Sequence, residues 1–187
     1  MQNITMTIKQ EADLLLDKQG LYSILEAYGQ PFIAGSYAYD LMTWRDLDIY
    51  FTGDCDFQKF FNLGYKITAS LKAYKSFFTD NRGLSPDGLY WGIRLGDIQA
   101  GAWKIDIWHF SKQDYQDQVR NCDMIKNRLT DETRKAIIEI KSHFCMKPGY
   151  RDTITSDDIY KAVFEHGVRN VKQFLQYHQI KQNFYKR

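Results

Sequence analysis

The stretch FIAGSYAYDLMTWRDLDIYF, residues 32–51, decides the fold. Its last six residues alternate strictly. Leu47, Ile49 and Phe51 face one way and Asp46, Asp48 and Tyr50 the other, as in a strand with one buried and one polar face. Upstream, Phe32-Ile33-Ala34 is a short apolar run entering Gly35-Ser36, which reads as a strand running into a tight turn. Tyr37 to Met42 suits a short helix. Two carboxylates at i and i+2 on a strand share a face, with Cα atoms roughly 7 Å apart. Like charges that close repel, and strands disfavour Asp. Mg²⁺ offsets that cost well, since it takes hard oxygen ligands and binds through one or two carboxylates plus substrate phosphates. For Asp46 and Asp48 alone, an edge strand with its charges in water is the plainer reading.

Asp106 changes the balance. Trp103-Lys104-Ile105-Asp106-Ile107-Trp108 alternates too, with Ile105 and Ile107 on one face and Lys104, Asp106 and Trp108 on the other. If the two strands are neighbours in one sheet, three carboxylates converge. A pair of metal ions about 3.5–4 Å apart can then hold the attacking and leaving oxygens of an in-line phosphoryl displacement. A salt bridge from Asp106 to Lys104 or a nearby Arg is an equally simple fate for that residue alone. Gly35-Ser36 offers backbone N–H groups and a hydroxyl at a strand-to-helix turn, where phosphate oxygens bind. An isolated Gly-Ser is more simply an ordinary turn.

Outward from these strands, Ile8 to about Gly29 reads as helix, broken near Gly20, with Leu14, Leu15, Leu16, Leu21, Ile24 and Leu25 as its apolar stripe. Phe57 to Phe78 reads as one helix and Thr79 to Gly88 as a loop. Leu89 to Leu95 and Ala102 to Phe110 read as an antiparallel hairpin. From Ser111 the pattern is mostly helical, with breaks near Thr130 and at Lys147-Pro148-Gly149. Ser156-Asp157-Asp158 reads as a helix cap, and Gly167 separates the last two helices. The expected architecture is α/β (α+β). Residues 1–110 form a small mixed β-sheet flanked by helices, and residues 111–187 a helical C-terminal region.

The combination is more specific than its parts. Gly35-Ser36-Tyr37-Ala38, then Asp46-Leu47-Asp48-Ile49 beginning ten residues after the Ser, then a later strand bearing Asp106, resembles the DNA polymerase β-like nucleotidyltransferase superfamily. Asp40 and the basic Arg45 before the acids are similar to the lincosamide and aminoglycoside nucleotidyltransferases. Small stand-alone members often carry Gly at the first position and Ser or His at the second. The resemblance implies a nucleotidyltransferase that moves a nucleoside monophosphate from an NTP to a hydroxyl of a small molecule or protein, releasing pyrophosphate. It implies Mg²⁺, two ions with Mn²⁺ as an alternative, held by Asp46, Asp48 and Asp106. Gly35 and Ser36 would hold the triphosphate, Arg45 or Lys104 would neutralise phosphate charge, and Asp106 would bind a metal or take the acceptor proton.

The remaining residues are weaker candidates. His109 falls on the strand face opposite Asp106, and His143, His166 and His178 fit no metal spacing. Trp91, Trp103 and Trp108 read as core rings before stacking surfaces. The 187 residues carry a net charge of only +2, which argues against phosphate-driven binding of duplex nucleic acid. The basic tail Lys181 to Arg187 reads as a solvated end. Three cysteines, Cys55, Cys122 and Cys145, without a CxxC, point to a reducing compartment. With no signal-like or membrane-spanning run in the sequence, the expected location is cytoplasmic. The rival readings are a catalytically inactive nucleotide-binding or regulatory module, a metal-dependent phosphodiesterase on the same acids, and a plain interaction domain.

Overall fold

A computed structural model describes residues 6–147, 150 and 153–185, with side chains to residue 179. The chain divides into two compact units, Met1–Asp123 and Met124–Arg187.

The first unit opens with α1 (Ile8–Asp13), started by a capping box in which Thr7 and Gln10 satisfy each other's backbone N–H. It continues through a π-helical turn, Leu14–Lys18, breaks at Gly20 and resumes as α2 (Leu21–Glu26). Then come β1 (Phe32–Ala34), α3 (Gly35–Ala38) and β2 (Asp46–Phe51). α4 (Phe57–Ser70), capped by Asp56, leads to the hairpin of β3 (Lys75–Asp80) and β4 (Gly88–Arg94). β5 (Lys104–Phe110) and α5 (Lys112–Arg128) follow.

The five strands form one mixed sheet in the order β1-β2-β5-β4-β3. β2 and β5 run parallel at its centre and the other pairs are antiparallel. The alternation read from the sequence sets the two faces. Leu47, Ile49, Phe51, Ile105, Ile107, Leu89 and Ile93 are buried in one core with Leu15, Leu21 and Leu25 of the N-terminal helices and Phe60, Leu63 and Ile67 of α4. Each such side chain contributes about 1.5–3 kcal/mol on burial. The opposite face carries the polar residues of β2, β4 and β5.

One expected element is corrected. The helix read over Phe57 to Phe78 ends at Ser70, and residues 75–80 are a strand. Lys72 takes a positive φ of 50°, which stops the helix, and β3 then pairs along its whole length with β4. Phe77 and Phe78 suit either element in isolation. Pairing with β4 decides between them.

In the second unit, α6 (Asp131–Phe144) starts at a capping box on Thr130, where a break is expected. α7 (Ser156–His166) is capped by Thr155, one residue before the expected Ser156, and ends at Gly167. α8 (Val171–Tyr185) follows. Pro148 and Gly149, read as a break, lie outside the described residues, as do Lys186 and Arg187 of the basic tail. Among the described residues no helix is long and apolar enough to cross a membrane.

His109 is buried on the core face, away from the acids. Tyr28 Oη lies 2.5 Å from its Nδ1, and its Nε2 lies 3.3 Å from the Gly53 carbonyl. Both contacts suit a neutral ring that accepts from Tyr28 and donates to Gly53. Burial lowers its pKa, against a smaller opposing pull from the Gly53 carbonyl. The unfolded chain therefore binds this proton more readily than the folded one. Stability from the neutral ring is present above the ordinary histidine value near 6.5 and is lost as pH falls through the lowered folded value. Chemical denaturation between pH 7.5 and 5 should show the native chain losing stability, and His109→Gln losing less over the same range.

Candidate active site

Register brings the acids together. β2 and β5 pair with Asp46 beside Lys104 and Asp48 beside Asp106. One oxygen from each of Asp46, Asp48 and Asp106 lies within 4.8 Å of the others, a spacing that suits a shared metal ion. All three side chains are half-buried, and Asp46 and Asp106 are each 14% exposed. Charges so close and so poorly solvated need compensation.

The protein supplies part of it. Lys104 Nζ sits 2.8 Å from Asp46 Oδ1 and 2.5 Å from Asp106 Oδ2. Arg94 Nη1 and the Tyr90 hydroxyl each donate to Asp106 Oδ1 at 2.9 Å. Three negative groups thus face two positive ones. Burial alone would push the Lys104 pKa down, but Asp46, Asp106 and Asp48 outweigh it and hold it raised. Burial, and then the Asp106 charge, push the Tyr90 hydroxyl up to about 12, so it stays a proton donor. An ammonium group lodged between two of the acids shows that this position draws a cation. Hard carboxylate oxygens are the donor set Mg²⁺ or Mn²⁺ takes. The residues present therefore fit a divalent ion.

Gly35 lies against the same cluster. Its φ is +61°, and a Cβ at this position would stand 2.3 Å from Asp48 Oδ2. Only glycine lets the turn take this backbone shape and come this close to the carboxylate. Ser36, buried, begins the next peptide at the edge of the site. Gly35→Ala should displace the Asp48 carboxylate. The expected result is loss of Mg²⁺-dependent stabilisation by NTPs with the circular dichroism spectrum retained, and an unchanged nucleotide response would refute it.

Arg45 binds Glu11 through Nε at 2.5 Å and Nη2 at 2.8 Å, and donates from Nη1 to the Gly101 carbonyl at 3.1 Å. It ties α1 to the β4–β5 connection. Trp91 is in the core, whereas Trp108 lies on the acid-bearing face, its ring 4.7 Å from Tyr90 and stacked 4.9 Å from Phe110. Tyr90 and Arg94 escape a search for acids and glycines. Their signal is alternation in β4, which puts Tyr90, Gly92 and Arg94 on one face. The hairpin register then sets Gly92 opposite Asp106.

No protein-family model and no curated protein sequence matches the chain. Solved structures do. A cytoplasmic RNA terminal U-transferase superposes with a TM-score of 0.56 at 13% identity, over 83% of this chain and 46% of its own. The Cid1 poly(U) polymerase, in a crystal structure with Mg and 3′-dATP bound, superposes with a TM-score of 0.50 at 14% identity, over 74% and 42%. The chain thus spans less than half the length of either structure. Both neighbours are nucleotidyltransferases, and the likeness establishes that this chain has their fold: a mixed five-stranded sheet flanked by helices.

Proposed function

We propose that this chain is a nucleotidyltransferase that moves a nucleoside monophosphate from an NTP to an acceptor hydroxyl, on a small molecule or a protein, and releases pyrophosphate. The observation that carries the reading is the convergence of Asp46, Asp48 and Asp106 from two parallel strands beside the Gly35 turn. The nucleotidyltransferase fold supports it. Asp46, Asp48 and Asp106 would hold Mg²⁺, which when bound neutralises the triphosphate and the charge that develops on the leaving group.

The chain's own residues do the rest. Gly35 and Ser36 receive the triphosphate through backbone N–H groups and the hydroxyl. The acceptor oxygen bonds to the α-phosphorus, and the bond to pyrophosphate breaks with its electron pair leaving on pyrophosphate. The acceptor proton passes to Asp106 and on to water. Arg94 and Tyr90 hold the Asp106 carboxylate in place through its Oδ1, leaving Oδ2 to face Lys104 and the cluster. Lys104, held between Asp46 and Asp106, would neutralise phosphate charge beside them.

One observation favours a second reading. Lys104 and Arg94 already satisfy Asp106, as in a structural ion network within an inactive nucleotide-binding module. Thermal shift with each NTP, with and without Mg²⁺, together with pyrophosphate release, separates the two. The transferase reading expects Mg²⁺-dependent stabilisation and pyrophosphate release. Nucleotide binding without turnover supports the inactive module, and no response to nucleotide refutes both.

A further inference from the structure

The register of the sheet sets one row of residues across all five strands. Ala34, just before the Gly35 turn, pairs with Asp48, Asp48 with Asp106, Asp106 with Gly92, and Gly92 with Phe77. The glycine turn stands at one end of this row, the acids in the middle, and the Phe77 ring at the other end. Neighbouring strands lie about 4.8 Å apart, so Phe77 is roughly 10 Å from Asp106 at the backbone. Its ring closes that gap. A Cβ on Gly92 would meet Phe77 Cζ at 2.4 Å and Tyr90 Oη at 2.7 Å, so the ring lies over the bare glycine, leaning toward Asp106.

Direction follows from chemistry. In an in-line displacement the attacking and leaving oxygens lie on opposite sides of phosphorus. With the triphosphate on the Gly35 side, the acceptor oxygen approaches from the Gly92 and Phe77 side. What it meets there is aromatic. The Phe77 ring is 5.7 Å from Tyr90, Tyr90 is 4.7 Å from Trp108, and the Arg94 guanidinium lies 5.2 Å over Phe77. Phe77 is 37% exposed, a large ring kept in water on an edge strand beside the acids. A strand that tracks a phosphate backbone needs cations to spare. Here Arg94 is bound to Asp106, Lys104 to Asp46 and Asp106, and Arg45 to Glu11. Among the described residues of the strands that carry this row, the remaining basic residue on this face is Lys75 at the sheet edge, 5.7 Å from the Phe77 ring centre.

We propose that Phe77, flanked by Tyr90, is the acceptor-stacking surface, and that the acceptor is a small uncharged alcohol that bears a planar ring. The inference rests on the transferase reading and names the substrate class of that site. The transfer is the one written above: the alcohol oxygen bonds to the α-phosphorus as pyrophosphate leaves, and its proton goes to Asp106.

The test uses the full chain with Mg²⁺ and a matched pair of probes, 2-phenylethanol and 2-cyclohexylethanol, with adenosine as a larger planar alcohol and oligoadenylate RNA as a polymer. Equilibrium dialysis in the presence of a non-hydrolysable NTP measures probe binding, and labelled NTP measures transfer. The planar alcohols should bind and accept about tenfold better than the cyclohexyl compound, the size of one stacking contact. Phe77→Ala should remove that preference, Phe77→Tyr should keep it, and NTP affinity should stay unchanged in both. Equal handling of the two matched alcohols overturns the proposal. So does RNA binding tighter than the small probes and indifferent to Phe77→Ala. A Phe77→Ala chain that loses NTP binding as well marks the ring as structural and also overturns it. Absence of Mg²⁺-dependent NTP binding in the native chain is a distinct result that removes the transferase reading along with this one.

Discussion

Asp46→Asn/Asp48→Asn should cut NMP transfer by at least about 10³-fold, which corresponds to roughly 4 kcal/mol of lost transition-state stabilisation. The change keeps the shape of both side chains and removes two of the three charges that would hold a divalent ion. The same variant should lose the thermal shift produced by NTP with Mg²⁺. A ligand at 100 times its dissociation constant stabilises a protein by about 2.7 kcal/mol. For a chain of this length that is roughly 5–10 °C in Tm. Native and variant chains that respond alike to NTP and Mg²⁺ would end the case for metal-bridged nucleotide binding. Because Lys104 still pairs with Asp106 in the variant, its fold should persist, and circular dichroism checks that.

The second large effect concerns Lys104. Lys104→Met removes the ammonium between Asp46 and Asp106, which also lies 5.7 Å from the Trp44 ring centre, and keeps the apolar stem. Three carboxylates are then left close together, with Arg94 still paired to Asp106. Breaking a buried pair by removing one partner costs about 3–5 kcal/mol. A chain of this size should lose roughly 10 °C in Tm without divalent ions. If the cluster is a metal site, Mg²⁺ or Mn²⁺ should restore most of that loss and bind the variant more tightly than the native chain, since the ion no longer displaces an ammonium. If the cluster is only an internal ion network, divalent ions should leave the variant as unstable as before. The two readings of the site therefore predict opposite outcomes in one melting experiment.

These two experiments probe features that the sequence displays to different degrees. The alternation in residues 46–51 and 104–110 is local, and it alone assigns Leu47, Ile49, Ile105 and Ile107 to the core and the acids to the other face. The turn at Gly35-Ser36 and the breaks at Gly20, Thr130 and Gly167 are also local, carried by residue types with restricted or special backbone preferences. The strand β3 is not legible in this way. Its residues suit a helix as readily, and pairing with β4 across the following turn selects the extended form. Tyr90 and Arg94 are marked locally only by the alternation of β4, and Phe77 carries no local mark.

Periodicity along one strand says which side a residue faces, and the sequence by itself determined that much: two faces, a glycine turn and three candidate acids. It says nothing of which residue on another strand stands opposite. That depends on strand order and register, which arise from hydrogen bonds and side-chain packing between distant segments. Only the tertiary structure therefore decided that Asp106 faces Asp48, that Lys104 lodges between two acids, and that a bare glycine and an aromatic ring lie beyond them.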